Sequence, residues 1–442
     1  MGTKTVGFIK YSESPLIYNT IDRRGVLSEA LSFRNIIQDV CNLNDYHFID
    51  LNESFKRFLN KEKQSESSSD KYIDNINLSV LFILNGPTLN KESSDNVKKA
   101  IEFYRSLFDR ASVVYYIQID PALYLDVNNY PNIVRKNNVH IIGNTGIKAA
   151  LTKTNKCFTE PSLLKYYSFF NKYVQRLSQD ETSNSLITNC VQTFYSDSNS
   201  GSKYYEFPLS CYRFNRCSSQ IPENTVLDPA ESDEQVDLIY IGGSRNGMRD
   251  SIIKKYCCST NKNFKVAFCG FFPDILDEFE NSENIAFYVP VKFNEVPSYI
   301  RVNSKSTVLI GDPIYSKLNI IAPRYIEALE SERICFISEE MMSEDLTDEL
   351  KYILSKKTNY SDNEIEEVLQ YIKVTGISDI EKKIDQLFNF KTTDNIVNAR
   401  LVNLKDRIIC CQNVILNYLM IVQLNVLYSG FQYLINIATY EL

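Results

Sequence analysis

The chain has 442 residues, a net charge of −7 and a hydrophobic content of 44%, which allows two or three globular domains and excludes a disordered or fibrous polypeptide. Phosphate contacts come from Lys and Arg, so the acidic balance argues against a general DNA-coating protein while leaving room for a local basic cleft. The 11 cysteines form no Cys-x-x-Cys pair and only two histidines occur, His47 and His140; neither a zinc site nor a secreted disulfide frame is expected, and free thiols in a reducing cytoplasm are.

The N-terminal stretch MGTKTVGFIKYSESP lacks the long apolar region of a secretory signal. Thr5–Lys10 reads as a first strand. Residues 26–40 place Val26, Leu27, Leu31, Ile36, Ile37 and Val40 at helical spacing. A second strand is expected over 46–51, followed by a polar, Ser-rich insertion at 61–70. The run LSVLFIL at 78–84 is nearly continuous in apolar residues, as buried parallel strands are. A helix over 94–110, a strand over 113–119 and a further strand over 139–142 complete the first alternation. A second alternation comes after a polar stretch at 218–234: strands over 236–241, 264–269, 285–289 and 307–310, a helix over 323–330 and a strand over 334–337. Alternating strands and helices imply parallel sheets in doubly wound α/β domains. The expected division is a first Rossmann-like domain over 1–217, a second over 218–390, and a helical segment over 391–442 that packs on them. Residues 408–440 carry no charge across 33 positions. A membrane span is conceivable by length, but Gln412, Asn413, Asn417, Gln423, Asn425, Gln432 and Asn436 interrupt the run, so packing helices are expected and no stable span.

Two segments carry chemistry. In VDLIYIGGSRNGMRDS (236–251) a buried strand meets Gly242 and Gly243, then a loop, then a helix. Glycines let backbone approach a phosphate, a helix N-terminus favours negative charge, and the guanidinium forks of Arg245 and Arg249 suit a diphosphate. The pattern is not the dinucleotide fingerprint; solvated arginines on a generic turn are the plain alternative. In VLIGDPIYSKLNIIAPRYIEALESERICFISEE (308–340) a strand ends in Gly311–Asp312 and a helix carries Arg324 and Glu327 three residues apart. That pair could hold a phosphate and a ribose diol, or form an ordinary ion pair on a surface helix.

Both segments resemble the donor site of T-even phage DNA β-glucosyltransferases, in the order glycine turn with two arginines, then IGD, Tyr, Arg-x-x-Glu, apolar strand and acidic pair. The resemblance implies a GT-B fold, two doubly wound Rossmann-like domains facing a cleft. It implies that Arg245, Arg249 and Arg324 contact the diphosphate of a UDP-sugar, with Gly242 and Gly243 in its binding turn and Tyr315 near it, and that Glu327 holds its ribose. Gly243 stands where the family has a Ser. More weakly, VYYIQID (114–120) resembles the family strand that leads to the catalytic Asp, and Ser28–Glu29 a Ser-Glu at the start of the first helix. The resemblance therefore implies Asp120 as the base and Glu29 as a second active-site carboxylate. A capping or turn role for Asp120, before Pro121, and a solvated first-turn role for Glu29 are the alternatives.

The function implied by this resemblance is that of an inverting transferase. It moves a sugar, with glucose expected, from UDP-glucose to the hydroxymethyl group of a modified base, with 5-hydroxymethylcytosine expected, in duplex DNA. With so few histidines, a carboxylate is the expected base. Arg135, Lys136, Lys148 and Lys153 could form a phosphate-binding stripe or a solvated face. A divalent cation could assist, although no Asp-x-Asp motif requires one and no metal site is expected. A monomer, a viral source and the host-cell cytoplasm fit this reading. A GT-B enzyme acting on a glycan or small molecule is the alternative, favoured by the acidic charge.

Overall fold

The structure is a computed structural model; it describes residues 4–10, 16, 26–60, 77–84, 95–117, 119, 138–144, 204–214, 235–244, 249–279, 281–292, 295–311, 322–389 and 395–440. The chain separates into two compact units. The first comprises Met1–Thr20, Val26–Asn215 and Leu424–Leu442, the second Ile21–Gly25 and Arg216–Gln423. The polar insertion at 61–70 lies outside the described residues.

The first unit contains β1 (Thr5–Lys10), α1 (Val26–Leu43), β2 (His47–Asp50), α2 (Leu51–Asn60), β3 (Leu78–Leu84), α3 (Asp95–Arg110), β4 (Ala111–Ile117), β5 (Val139–Asn144) and β6 (Tyr204–Phe207). Its six strands are all parallel, in the order β2-β1-β3-β4-β5-β6. The run at 78–84 is a strand over its whole predicted length, because both faces of the sheet are covered. On one face Leu81 and Ile83 pack with Leu51 and Phe55 of α2 and with Phe103 and Leu107 of α3. On the other, Phe82 meets Phe431, from the end of the chain, at a ring-centroid distance of 5.3 Å.

The second unit contains β7 (Val236–Gly243), α4 (Asp250–Cys257), β8 (Val266–Phe271), α5 (Pro273–Phe279), β9 (Ile285–Tyr288), α6 (Val296–Asn303), β10 (Ser304–Leu309), α7 (Pro323–Glu330), β11 (Ile334–Ser338), α8 (Glu344–Lys357), α9 (Asp362–Ile372), β12 (Lys373–Val374), α10 (Ile377–Ile384) and α11 (Asn395–Tyr418). After a π-helical turn at Leu419–Gln423 comes α12 (Leu424–Tyr440), which carries Phe431. The second sheet is also parallel throughout, in the order β12-β11-β10-β7-β8-β9. Ile239, Ile241, Ala267 and Cys269 form one side of its core with Val296 and Ile300 of α6.

The uncharged C-terminal stretch is helical. By length and composition the helix Ile396–Ala438 could cross a membrane, with a mean hydropathy of 1.5. A stripe of it is nonetheless packed away: Ile408, Cys411, Ile415 and Leu419, then Leu427, Phe431, Leu434 and Ala438 are all buried, the spacing of an amphipathic face. Residues to Gln423 belong to the second unit and those from Leu424 to the first. Within the first unit Tyr115 donates its hydroxyl hydrogen to the carbonyl of Leu434 at 3.1 Å, and Tyr46 hydrogen-bonds Asn436 at 2.6 Å. At Gly430 a Cβ would come within 2.5 Å of the Phe207 ring, so the helix approaches the sheet as closely as it does only without a side chain there.

All cysteines among the described residues are free thiols. Burial pushes the thiols of Cys41 and Cys335 up to about 12, so they behave as apolar filler rather than nucleophiles.

Phe431 touches Phe33, Phe82 and Phe207 and is fully buried. Phe431→Ala is therefore expected to lower the unfolding free energy by about 3–5 kcal/mol. Chemical denaturation checks this, and a loss below ~1 kcal/mol would mean that α12 is not part of the first unit's core.

Candidate active site

In an open α/β sheet, ligands bind beyond the carboxyl ends of the strands, where successive crossovers change direction and two loops diverge. In the second unit the chain winds from β7 outward through β8 and β9, then returns to the other flank of β7 to lay down β10. The carboxyl ends of β7 and β10 therefore flank the switch point. They carry Gly242–Gly243–Ser244 and Ile310–Gly311, within the two segments to which the sequence assigns chemistry.

Close packing surrounds the glycines at this edge, and at Gly270 the clash is with backbone. Gly270, paired with Gly242, has φ +151°, and a Cβ there would sit 1.8 Å from the Gly242 carbonyl oxygen. A Cβ on Gly311 would lie 2.0 Å from the Met341 sulfur. Ser244 ends the strand: its N–H donates to the Phe271 carbonyl at 3.0 Å, and its own carbonyl accepts from the Arg249 N–H at 3.1 Å. Among the described residues the fully buried Ser244 hydroxyl finds no hydrogen-bond partner, and the Ser338 hydroxyl at the end of β11 is in the same state. Sequence reasoning missed both serines; the Ser that directly succeeds the Gly pair was the available signal.

Arg249 is the N-cap of α4, with φ −101° and ψ −4° and no side-chain cap. The helix begins only at Asp250, so Arg249 stands at its mouth, where the first unpaired N–H groups point; Arg245 lies outside the described residues. Beside it, burial and then the neighbouring Asp274 carboxylate raise the Asp250 pKa.

On α7, Pro323 occupies the first turn after the extended Ala322 cap, a position its fixed φ suits. Arg324 comes next, and its Nη1 lies 2.9 Å from Oε2 of Glu327. The plain alternative of a surface ion pair does not hold: the Glu327 side chain is 0% exposed while that of Arg324 is 40% exposed. A carboxylate is removed from water at this cost only when cations and donors surround it. Tyr315 lies outside the described residues.

A second charged assembly braces the same edge. Lys255 of α4 bridges Glu339 at 2.8 Å and Glu340 at 2.7 Å, and Tyr256 donates to Glu340 at 2.6 Å. The acidic pair after β11 is thereby tied to the helix that Arg249 caps.

In the first unit the switch point lies between β1 and β3, which end at Lys10 and Leu84. Glu29, in the first turn of α1, has its Oε1 3.8 Å from Nζ of Lys10. β4 was expected to reach residue 119, with Asp120 at its tip. The strand is described as far as Ile117, which pairs with Leu84 of β3 and Ile142 of β5. Asp120 is three residues further on and outside the described residues, as are Arg135, Lys136, Lys148 and Lys153. No cluster of side chains able to hold a metal ion occurs among the described residues.

No family model and no curated protein matches the chain. Solved structures do. A structure of T4 phage β-glucosyltransferase matches with a TM-score of 0.53 and 13% identity, over 98% of this chain and 99% of that one. The fold is GT-B. A structure of the T4 phage enzyme in complex with UDP-glucose matches at a TM-score of 0.52 and 14% identity, and one in complex with UDP and Mn2+ at 0.51 and 14%, each over 98% of this chain and 99% of that one. At such identities it is the GT-B architecture that is shared, two parallel sheets flanked by helices.

The clamp on Glu339 and Glu340 has a defined pH window. Burial opposes ionisation of Glu340, but the hydrogen bonds from Lys255 and Tyr256 outweigh it and hold the group below its ordinary 4.5; the bonds from Glu339 and Glu340 raise Lys255 above its ordinary 10.5. The clamp's contribution is present between those two ordinary values. It is lost as pH falls through the lowered Glu340 value, or rises through the raised Lys255 value. Lys255→Met is expected to melt at a lower temperature than the unmodified protein near neutral pH, with the gap closing below about pH 4. A gap that does not shrink in thermal melts as pH falls well below the ordinary glutamate value would show that the clamp contributes nothing.

Proposed function

We propose that the protein transfers glucose from UDP-glucose to the hydroxymethyl group of a modified cytosine in duplex DNA, with inversion at the sugar. The observation that carries this reading is the Arg324–Glu327 pair, with its fully buried carboxylate, on the helix after the switch-point strand of a GT-B sheet. The T4 phage β-glucosyltransferases that share the fold include complexes with UDP-glucose and with UDP, which makes a UDP-sugar the natural donor here.

In this reading the diphosphate lies against the β7 turn. Gly242 and Gly243 admit it, the α4 N-terminus favours its charge, and Arg249, Arg245 and Arg324 neutralise it. Glu327 accepts hydrogen bonds from the ribose hydroxyls, held in place by Arg324. As the glycosidic bond breaks, negative charge grows on the departing UDP, and the same guanidinium groups stabilise it more strongly than in the ground state. A divalent cation held by the diphosphate is compatible with this site.

On the acceptor side Asp120 takes the proton from the attacking hydroxymethyl oxygen, and Glu29 is the second carboxylate of the acceptor pocket. A base stacked in a duplex cannot reach such groups, so the target nucleotide must be flipped out. Arg135, Lys136, Lys148 and Lys153 are the proposed phosphate contacts. The setting proposed is the cytoplasm of a virus-infected cell, where free thiols persist.

Incubation with UDP-glucose and duplex DNA containing 5-hydroxymethylcytosine, then nucleoside mass spectrometry, is expected to yield a glucosylated nucleoside. Transfer only to glycans or small molecules would replace the DNA reading with the alternative acceptor class. Glu327→Ala is expected to weaken UDP binding at least about tenfold by calorimetry, as the loss of a charged hydrogen-bond partner implies; unchanged affinity would end its ribose role. Asp120→Asn is expected to reduce kcat by about 10²–10⁴ while UDP affinity holds, and an active variant would move the base elsewhere.

A further inference from the structure

Lys10 is the last residue of β1, at the switch point of the first sheet. Its side chain is 4% exposed, and its Nζ lies 3.8 Å from Oε1 of Glu29, which is 22% exposed. The neighbouring charges are already matched: Arg34 of α1 binds Asp50 of β2 at 2.6 Å. Tyr104 of α3 donates its hydroxyl hydrogen to the Lys10 carbonyl at 3.0 Å, which fixes the backbone beneath the side chain.

Folding does not call for a buried ammonium at this point. Replacing a buried ion pair with apolar side chains of similar volume is commonly neutral or stabilising, and the other described strand residues around it, Phe8, Ile9, Phe82, Ile83 and Leu84, are apolar and buried. What the ammonium does supply is a fixed positive charge behind a carboxylate that still reaches solvent. Glu29 also sits in the first turn of α1, where the helix dipole favours negative charge. Both effects act in the same direction, toward a carboxylate that stays ionised and accepts hydrogen bonds rather than donating one.

We infer that Lys10 is a positioning residue of the acceptor pocket: it holds the Glu29 carboxylate ionised and oriented, so that Glu29 accepts a hydrogen bond from a hydroxyl of the reacting sugar or acceptor alcohol. This role rests on the proposed transferase activity and on Glu29 belonging to its site. It excludes Glu29 as the group that delivers a proton.

The test compares Lys10→Met, Lys10→Gln, Lys10→Arg, Glu29→Gln and the double variant Lys10→Met/Glu29→Gln. Each is assayed for transfer from UDP-glucose to hydroxymethylcytosine DNA, for UDP affinity by calorimetry and for thermal unfolding. Lys10→Met and Lys10→Gln are expected to lower kcat by about tenfold or more with the KM for UDP-glucose within about twofold, and Lys10→Arg to recover most of the rate. The double variant is expected to be no slower than Glu29→Gln alone, because the lysine acts through the glutamate. An unchanged kcat in a folded Lys10→Gln, an arginine variant as slow as the glutamine one, or a double variant whose losses multiply would each overturn the proposal. Glu29→Gln at full activity would remove Glu29 from the site and this inference with it. An impaired Glu29→Gln beside an unaffected Lys10→Gln would remove only the lysine's role. Absence of any transfer by the unmodified protein would remove the transferase activity on which both stand.

Discussion

A parallel strand cannot return to its neighbour by a tight turn, so each step along these sheets requires a crossover, and the crossovers cover both faces. The polar groups that remain available are those at the strand ends. Where the direction of winding reverses, two consecutive loops leave the sheet on opposite sides and open a crevice. In the second unit that point falls between β7 and β10, and the glycine turn, Gly311, Arg249 and the helix bearing Arg324 and Glu327 are all placed by it. Were β10 to pair beside β9 instead, Gly242 and Gly311 would no longer flank one crevice.

Within that frame, burial separates an informative charge from an uninformative one. Arg324 and Glu327 could be any i,i+3 pair on paper, and exposed pairs of that kind contribute little. With Glu327 fully buried, the pair is a structural commitment at the mouth of a crevice. The same reasoning distinguishes Lys10 from the lysines of exposed helix faces: its ammonium is held beneath a carboxylate that keeps some access to water. Each unit thus places a lysine or arginine against a glutamate at the carboxyl edge of its own sheet, next to its own switch point.

The brace formed by Lys255, Glu339, Glu340 and Tyr256 ties α4 to the end of β11. It fixes the helix whose N-terminus Arg249 caps relative to the strand beside β10. Close packing adds to the same end. Gly311 admits the Met341 side chain, and Gly270 admits the Gly242 carbonyl, a backbone contact that tolerates no added methyl group.

Much of this was legible in the amino-acid order. The run at 78–84 and the helix at 323–330 form over the residues expected, since each rests on local cues: continuous apolar burial in one, Pro at the first turn and helical spacing in the other. Other features were not. β6 and β12 are short and gain their character only from the strands they pair with. Helix α2 starts directly after β2 with no turn residue between them, so periodicity alone did not separate them. The uncharged stretch at 408–440 gave composition but no direction of burial. Sequence by itself therefore determined the class of fold and singled out the glycine turn and the Arg324–Glu327 helix, because strand, turn and helix signals act over a few neighbours. Only the tertiary structure decided which charges lie buried, that Arg249 caps a helix rather than riding on it, and that Lys10 meets Glu29, because these depend on chain segments brought together from distant positions.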